Sequence, residues 1–321
     1  MISTTVGSYP KVAEGAYTTK LIGAVTKWQR KELDDAQLEV VQQEITCAVI
    51  REQEDAGLDL LTDGQIRWED LVTPIARRLR GFEINGLSRW FDNNVYYRRP
   101  ILRTAPKRTG PILVEAYTFA AACARKPVKA VLPGPYTLAV MSENRHYASL
   151  KPFVLKLAEL LNAEAMALAQ AGAPVIQFDE PALGFGKPNL KLVLEALRVV
   201  TKGVKAKTAL YTYFGSLDGA LASLMRATVD IIGVDVVSDP HALRELKRTK
   251  VTKALALGCM DARNTKLESV SELHRLFRAV TTLVSGDRLY VNPNCGLEFL
   301  PHTQAQKKIQ RLAEAVRTFK A

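Results

Sequence analysis

Eight short apolar runs, most of them ending in Gly, Pro or Asp, alternate with longer stretches of helical spacing along the 321-residue chain. The runs are STTVGSYP, LDLLTDG, KAVLPGP, PVIQFDEP, TALYTYFG, DIIGVDVV, KALALGCMD and LYVNPNCG. Eight strands separated by helices in a chain of this length predict one α/β domain, residues 1–321, folded as a (β/α)₈ barrel. A doubly wound open sheet is the alternative, but no GxGxxG phosphate loop opens any of these units.

One stretch interrupts the alternation. Residues 80–110, RGFEINGLSRWFDNNVYYRRPILRTAPKRTG, are aromatic, basic and rich in turn residues. The pattern predicts a β-hairpin excursion at or near the barrel mouth. An extended loop that closes one end of the barrel is the equal alternative.

The formal net charge is +11, with the basic residues spread along the chain. Nucleic-acid-binding proteins cluster such residues on one face beside aromatic side chains, so we expect no nucleic-acid partner. No apolar run approaches the ~20 residues that cross a bilayer, so we expect no membrane partner either. The four cysteines are scattered without a CxxC pair, which predicts neither a disulfide framework nor a zinc ribbon. With no signal-peptide pattern at the N-terminus, these features favour a cytoplasmic location.

The chemistry of barrel enzymes lies where the strands end. In this chain the predicted ends are Gly7 and Ser8, Asp63 and Gln65, Gly134 and Pro135, Asp179 and Glu180, Tyr211 and Tyr213, Asp235, Cys259 and Asp261, and Asn294 and Cys295. Asp179-Glu180-Pro181 is the sharpest of these signals, because such a strand end can turn one carboxylate into the mouth to hold a cationic group. A helix cap or a salt bridge within the barrel is the structural alternative.

These strand ends, in this order, resemble the cobalamin-independent methionine synthase family over nearly the whole chain. The similar segments are TTVGSYP, AGLDLLTDGQ, LPGPYTL, QFDEPAL, DARNTKLES and YVNPNCGL. The resemblance implies a TIM barrel of the methionine synthase/uroporphyrinogen decarboxylase type. It also implies methyl transfer to the thiol of homocysteine from a folate or corrinoid-borne donor, and hence a homocysteine- or methionine-like ligand.

In that family a zinc ion turns the homocysteine thiol, whose ordinary pKa is about 8.5, into a thiolate. The resemblance implies ligands from a His-x-Cys pair after the fifth strand, a Glu after the sixth and the Cys of the eighth. Cys295 matches the last of these, and Asp235 stands at the Glu position. The His-x-Cys position reads Tyr211-Thr212-Tyr213. Because a phenol is a poor zinc ligand at neutral pH, we expect a degenerate site without metal and without a bound cofactor.

Two further positions depart from the family pattern. Gln65 stands where a glutamate helps to hold the substrate, and a neutral amide cannot pair with an ammonium group. Met141 stands where folate-dependent members have a tryptophan against the pterin. LYTYFG and RWFDNNVYY resemble the non-catalytic N-terminal barrel of full-length family proteins, whereas YVNPNCGL and DEPAL resemble the catalytic barrel.

The resemblance and the strand ends together predict the site. Asp179, Asp235 and Cys295 are the candidate catalytic residues, with Asp235 as the base for the thiol if one is activated. Substrate binding is assigned to Gly7, Ser8, Gln65, Asp179, Tyr211 and Tyr213. Asp179 is expected to face the cavity and hold the amine of an amino-acid ligand. A zinc site rebuilt from Cys295, Cys259, Asp235 and His241 is an alternative.

Three functions remain open on the sequence. The first is a methyltransferase that makes methionine from homocysteine. The second is a zinc-less, non-catalytic barrel that binds the methyl donor or partners a separate catalytic barrel or a corrinoid protein. The third is a metal-free lyase with Tyr211 or Tyr213 as general acid.

Overall fold

The computed structural model of the chain describes residues 1–11, 16–93, 95–217 and 219–320. In chain order its strands and helices are β1 (Ile2–Ser3), α1 (Ala16–Gln29), α2 (Asp35–Asp55), α3 (Thr73–Arg78), β2 (Leu79–Ile84), β3 (Ser88–Arg89), β4 (Tyr96–Tyr97), β5 (Pro100–Arg108), α4 (Val114–Cys123), β6 (Ala130–Pro133), α5 (Pro135–Val140), β7 (Glu143–Asn144), α6 (Leu150–Gln170), β8 (Val175–Asp179), α7 (Leu190–Val200), β9 (Lys207–Tyr211), α8 (Leu221–Leu224), β10 (Ile231–Asp235), α9 (Ala242–Arg248), β11 (Ala254–Met260), α10 (Val270–Thr281), β12 (Leu289–Pro293) and α11 (His302–Thr318). Short 3₁₀ turns lie at Pro181–Gly184, Gly286–Arg288 and Leu297–Phe299.

The chain divides into two compact units. The first unit comprises residues 1–67, 116–129 and 255–321, and the second comprises residues 68–115 and 130–254. Both units are built from separated segments of the chain, so no linker marks a boundary in the sequence. The single domain over residues 1–321 stays a prediction.

In the first unit, β12 pairs in parallel with both β1 and β11. The second predicted run forms two isolated parallel bridges, Thr4 with Leu60 and Leu61 with Val128. Since all these pairings are parallel, the loops that follow the strands of this unit leave from the same edge.

In the second unit, β6, β8, β9 and β10 form a parallel ladder in that order. Every residue of these strands is buried except Lys207. A strand buried on both faces has apolar residues at successive positions, so these strands show no alternation of apolar and polar residues in the sequence. The register sets Pro133 beside Asp179, Asp179 beside Tyr211, and Tyr211 beside Gly233.

The excursion is a set of antiparallel hairpins in the second unit, as the sequence predicts. β2 pairs with β5, and β3 pairs with β4. The Tyr97 hydroxyl donates to the Met141 carbonyl at 2.6 Å. The Phe91 ring lies 5.6 Å from Phe185 and 5.8 Å from Phe214. Because these three contacted residues follow β6, β8 and β9, the excursion lies at the carboxyl ends of the strands.

Helices α6 and α10 coincide with two stretches of helical spacing, and α10 starts at a reciprocal cap. Ser269 Oγ accepts from the Glu272 N–H at 3.2 Å, and the Glu272 carboxylate accepts from the Ser269 N–H at 2.7 Å. The same arrangement, between Asp34 and Gln37, opens α2. None of the helices in the described ranges is long and apolar enough to span a membrane.

One cysteine pair corrects the sequence analysis. Cys47 of α2 and Cys123 at the end of α4 form a disulfide, with their Cα atoms 5.5 Å apart. The two cysteines are separated by 76 residues, so no local sequence spacing predicts the bridge. The tertiary fold brings the two helices together, and a pattern of neighbouring cysteines cannot reveal such a bridge.

Candidate functional site

Asp179 ends β8 and is 2% exposed. The Gln177 side-chain amide donates to its Oδ1 at 2.7 Å, and the Tyr213 hydroxyl donates to its Oδ2 at 3.0 Å. Gln177 precedes Asp179 by two residues on the same strand, so both side chains lie on one face. Two donors on two different oxygens fix the orientation of this carboxylate.

Glu180, the next residue, serves a different set of partners. Its Oε1 accepts from the Tyr136 N–H at 2.9 Å and its Oε2 from the Thr137 N–H at 2.6 Å. A Cβ at Gly134 would lie 2.1 Å from the Glu180 Cδ, so only glycine fits there. Burial raises the pKa of Glu180 to about 7. Glu180 therefore holds the loop between β6 and α5.

Tyr211 and Asp235 end the next two strands. Tyr211 is 4% exposed, and its ring fills the space beside Gly233, where a Cβ would lie 2.9 Å from the Tyr211 Cγ. Asp235 is also 4% exposed. Its Oδ1 accepts from the N–H groups of Val237 at 2.9 Å and Ser238 at 2.8 Å. This carboxylate thus orders the turn that leaves β10.

Two buried free cysteines lie at the strand ends of the first unit. The Cys259 thiol donates to the Asn292 carbonyl at 3.7 Å, and the Cys295 thiol donates to the Gly296 carbonyl at 3.5 Å. Burial, with a smaller effect of Glu268, raises the pKa of Cys259 to about 12. Cys259 is therefore a protonated thiol at neutral pH.

Ser8 and Gln65 are buried side chains on the loops that follow β1 and the second run. The Ser8 carbonyl, one residue after Gly7, accepts from the Leu297 N–H at 2.8 Å. Gln65 has a φ of 50°, in the left-handed region, and its N–H donates to the Asp63 carboxylate at 2.9 Å. A non-glycine residue in this region costs about 1 kcal/mol and is enriched at functional sites.

The donor set does not fit the zinc ion of the family that the sequence resembles. The Tyr213 hydroxyl keeps its proton in the bond to Asp179, and one oxygen of Asp235 is engaged by its own turn. His241, of the rebuilt alternative, is exposed, with its Nδ1 2.7 Å from a guanidinium nitrogen of Arg244. Among the described residues, no group of three or more His, Cys, Asp or Glu is placed to hold a metal ion.

The comparisons with known proteins decide the family. Residues 1–318 match the family model described as the catalytic domain of cobalamin-independent synthase. The chain belongs to this family. It is 30% identical over 317 residues to a methionine synthase of Saccharolobus solfataricus, covering 98% of this chain and 93% of that protein. It is also 30% identical over 309 residues to a methionine synthase of Sulfolobus acidocaldarius, covering 96% and 88%.

Solved structures agree on the fold. A B12-independent methionine synthase from Shewanella sp. W3-18-1, in complex with selenomethionine, superposes with a TM-score of 0.85 at 23% identity, covering 98% of this chain and 97% of that one. A protein from Listeria monocytogenes, described as a putative vitamin-B12 independent methionine synthase, gives 0.79 at 15% identity, with both chains covered fully at 100%. The predicted α/β barrel class is thereby confirmed. As a member of the cobalamin-independent synthase family, the chain is an enzyme of the methyltransferase class, methionine synthase-like in function.

The structure brings Asp179 and Tyr213 into direct contact and sets Tyr211 beside Asp179 in the ladder. Gly7, Ser8, Gln65 and Cys295 lie on the loops of the first unit. Sequence reasoning missed Gln177, although its spacing of two from Asp179 on a strand was the available signal. It also left the role of Glu180 open, because consecutive carboxylates give no sign of which one turns to the backbone.

Proposed function

We propose that this chain transfers a methyl group to the thiol of homocysteine, from a folate-like or corrinoid-borne donor, without the zinc ion of its family. The observation that carries the proposal is the buried Asp179 carboxylate, held on one oxygen by Gln177 and on the other by Tyr213. A carboxylate fixed at a strand end offers a cationic group a defined partner, and the amine of homocysteine is such a group.

The reaction then needs a nucleophilic sulfur. The thiol proton passes to a base, the sulfur electron pair forms the new bond to the methyl carbon, and the donor–methyl bond breaks with its pair left on the donor. Asp235 is the candidate base, by its place at the end of β10. An ordinary carboxylate is about four to five pKa units less basic than a thiolate, so this transfer is uphill and the unassisted reaction is slow.

Asp179→Asn tests the proposal. Removing one partner of a buried charge pair costs about 2–5 kcal/mol, so methionine and homocysteine should bind at least tenfold more weakly to the variant by titration calorimetry. Asp55→Asn, at an exposed position of α2, is the matched control and should bind as the wild type does. Equal affinity of Asp179→Asn and wild type would refute the assignment, and no binding of either amino acid to wild type would refute the proposed substrate.

A second candidate, in which the chain works only with a protein partner such as a separate catalytic barrel or a corrinoid protein, is favoured by the excursion. Residues 80–110 contain seven basic and two acidic residues, a net charge of +5. Leu87 at its tip is 70% exposed and Tyr96 is 61% exposed. A basic, partly apolar surface suits an acidic protein surface. Methyl transfer by the purified chain alone favours the first candidate, and transfer only after a second protein is added favours this one.

A further inference from the structure

The disulfide between Cys47 of α2 and Cys123 of α4 lies within the first unit and is open to solvent. Both of its cysteines are half-buried, whereas the free cysteines Cys259 and Cys295 are buried. A disulfide is broken by a thiolate that approaches one of its sulfur atoms, so access to the sulfurs controls the exchange. Disulfides that solvent reaches are the labile ones, and enclosed structural ones resist reduction. The Cys47–Cys123 bridge therefore belongs to the exchangeable kind.

The second apolar run, residues 58–64, is weakly paired in the same unit. Whereas β11 and β12 pair along a ladder, this run pairs through two single parallel bridges, at Leu60 and Leu61, in the described part of the chain. A segment with few ladder hydrogen bonds opens locally at low cost unless other contacts hold it. The order of this run therefore depends on the elements that flank it.

Helix α2 holds one side of the run through Gln53, which is 0% exposed. The Gln53 Oε1 accepts from the Thr62 N–H at 3.0 Å, and its Nε2 donates to the Thr62 carbonyl at 2.9 Å. One side chain thus bonds to both backbone groups of Thr62, as a neighbouring strand would. Gln53 lies further along the same helix as Cys47, so the position of α2 fixes these bonds.

Residues 124–129 hold the other side of the run and follow Cys123 directly. The Leu61 N–H donates to the Pro127 carbonyl at 2.9 Å, and the Lys129 N–H donates to the Leu61 carbonyl at 2.9 Å. The run therefore lies between α2 and the segment that leaves α4. The disulfide joins these two flanking elements by a covalent bond.

A second link between the two flanking elements is the carboxylate of Glu54 on α2. It accepts from the Arg125 N–H at 2.6 Å, from Arg125 Nε at 2.9 Å and from the Lys126 N–H at 3.2 Å. The Arg125 side chain is 77% exposed, so its ion pair contributes little to stability. When the disulfide is broken, hydrogen bonds of this kind are left to hold the end of α4 against α2.

We propose that Cys47–Cys123 is a site of reversible thiol–disulfide exchange, through which a dithiol reductant controls the order of residues 58–64. A thiolate of the reductant attacks one sulfur, the S–S bond breaks, and its electron pair stays on the other cysteine, which takes a proton. The second thiol of the reductant loses its proton and displaces the first cysteine, which is protonated in turn. The reductant leaves as a disulfide, and the protein holds two thiols in a chain whose second run opens more often.

Maleimide labelling tests the exchange itself. Air-oxidised native protein is incubated with or without dithiothreitol, treated with N-ethylmaleimide and analysed by mass spectrometry. Labels on Cys47 and Cys123 should appear only with the reductant, while the buried Cys259 and Cys295 stay unlabelled. Oxidised dithiothreitol should restore the unlabelled form. A bridge that dithiothreitol breaks only after denaturation, or labels on Cys47 and Cys123 without any reductant, would overturn the proposal.

Hydrogen exchange, followed by mass spectrometry, tests the effect on the second run. Amides of residues 58–64 and 124–129 should exchange at least about tenfold faster in reduced than in oxidised protein, with β8 as the internal reference. The double variant Cys47→Ser/Cys123→Ser should exchange fast with or without dithiothreitol, which shows that the reductant acts through this bridge. Equal exchange in oxidised and fully reduced wild type would refute the control of the run, even if the double variant did not fold.

Methyl transfer is a third readout, and this step alone rests on the proposed function. The second run leads into the loop that carries Gln65, so kcat/KM for homocysteine should fall in reduced wild type and recover on oxidation. In the double variant it should not respond to dithiothreitol. If neither form of the wild type transfers a methyl group, the proposed function fails, while labelling and hydrogen exchange still decide the redox site.

Discussion

Asp179 and Glu180 are chemically similar neighbours with different partners: Asp179 is the last residue of β8, and Glu180 begins the turn that follows it. Successive side chains of a strand point to opposite faces, so two consecutive carboxylates meet different surroundings. Asp179 receives bonds from side chains, Gln177 and Tyr213, whereas Glu180 receives bonds from two backbone N–H groups. The backbone partners make Glu180 a structural element of the loop after β6, and the buried position makes its charge costly.

Glu180 should make stability depend on pH in a definite direction. Its pKa is about 7 in the folded protein, above the ordinary glutamate value, so the folded state holds the proton more tightly. Protonated Glu180 therefore stabilises the folded state at low pH. As pH rises towards 7, the free energy of unfolding should fall by up to about 3 kcal/mol because this contribution is lost. In Glu180→Gln this part of the pH dependence should vanish. Urea denaturation at pH 5 and pH 8 measures it, with exposed Glu314→Gln as control. Parallel changes in wild type and Glu180→Gln would contradict the assignment.

At the scale of elements, much of the fold follows from the sequence because most residues of the apolar runs are buried. Six of the eight runs form strands of regular length, and LDLLTDG forms only bridges at Leu60 and Leu61 before the chain turns at Gly64. The β-hairpin excursion was predicted from its aromatic and turn residues. The Cys47–Cys123 bridge and the partners of Glu180 were not, because contacts between distant segments depend on packing that periodicity does not encode.

The excursion is anchored to α6 by one buried carboxylate. Glu164 is 0% exposed and accepts from Arg108 Nε at 2.8 Å and from the N–H groups of Ile112 and Leu113. Glu164→Leu leaves three donors unpaired and should lower the free energy of unfolding by about 3–5 kcal/mol. Chemical denaturation measures this loss, and limited proteolysis should cut residues 80–110 faster. As a control, Glu159→Gln removes the exposed ion pair with Lys156 on the same helix and should lower the free energy of unfolding by less than about 0.5 kcal/mol.

At the scale of the whole molecule, the chain keeps the barrel fold of its family and carries tyrosines at two of the strand-end positions. The match extends over residues 1–318, yet Tyr211 and Tyr213 stand where the resemblance implies zinc ligands. A fold can be retained when a site is rebuilt, because the burial of strands and helices does not depend on which polar residues follow them. The strand-end residues were therefore predictable as positions, but their function depends on contacts that only the folded chain defines.

The last prediction concerns the metal. Zinc requires three or four deprotonated or lone-pair ligands at about 2.0–2.3 Å, and Tyr213, bonded to Asp179 as a donor, offers none at neutral pH. We expect purified protein, after dialysis against a chelator, to contain far less than one zinc ion per chain by atomic emission. With Asp235 as the base that takes the thiol proton, kcat/KM for homocysteine should be nearly constant from pH 6 to 8, whereas in Asp235→Asn it should rise about tenfold per pH unit towards the thiol pKa near 8.5.

Two outcomes would contradict this expectation in different ways. One zinc ion per chain that survives the chelator and is lost in Cys295→Ser would show that a site forms after all, and Cys259→Ser and His241→Gln would then test the rebuilt set. A kcat/KM that rises about tenfold per pH unit in metal-free wild type as well as in Asp235→Asn would mean that the thiol loses its proton to solvent and not to Asp235.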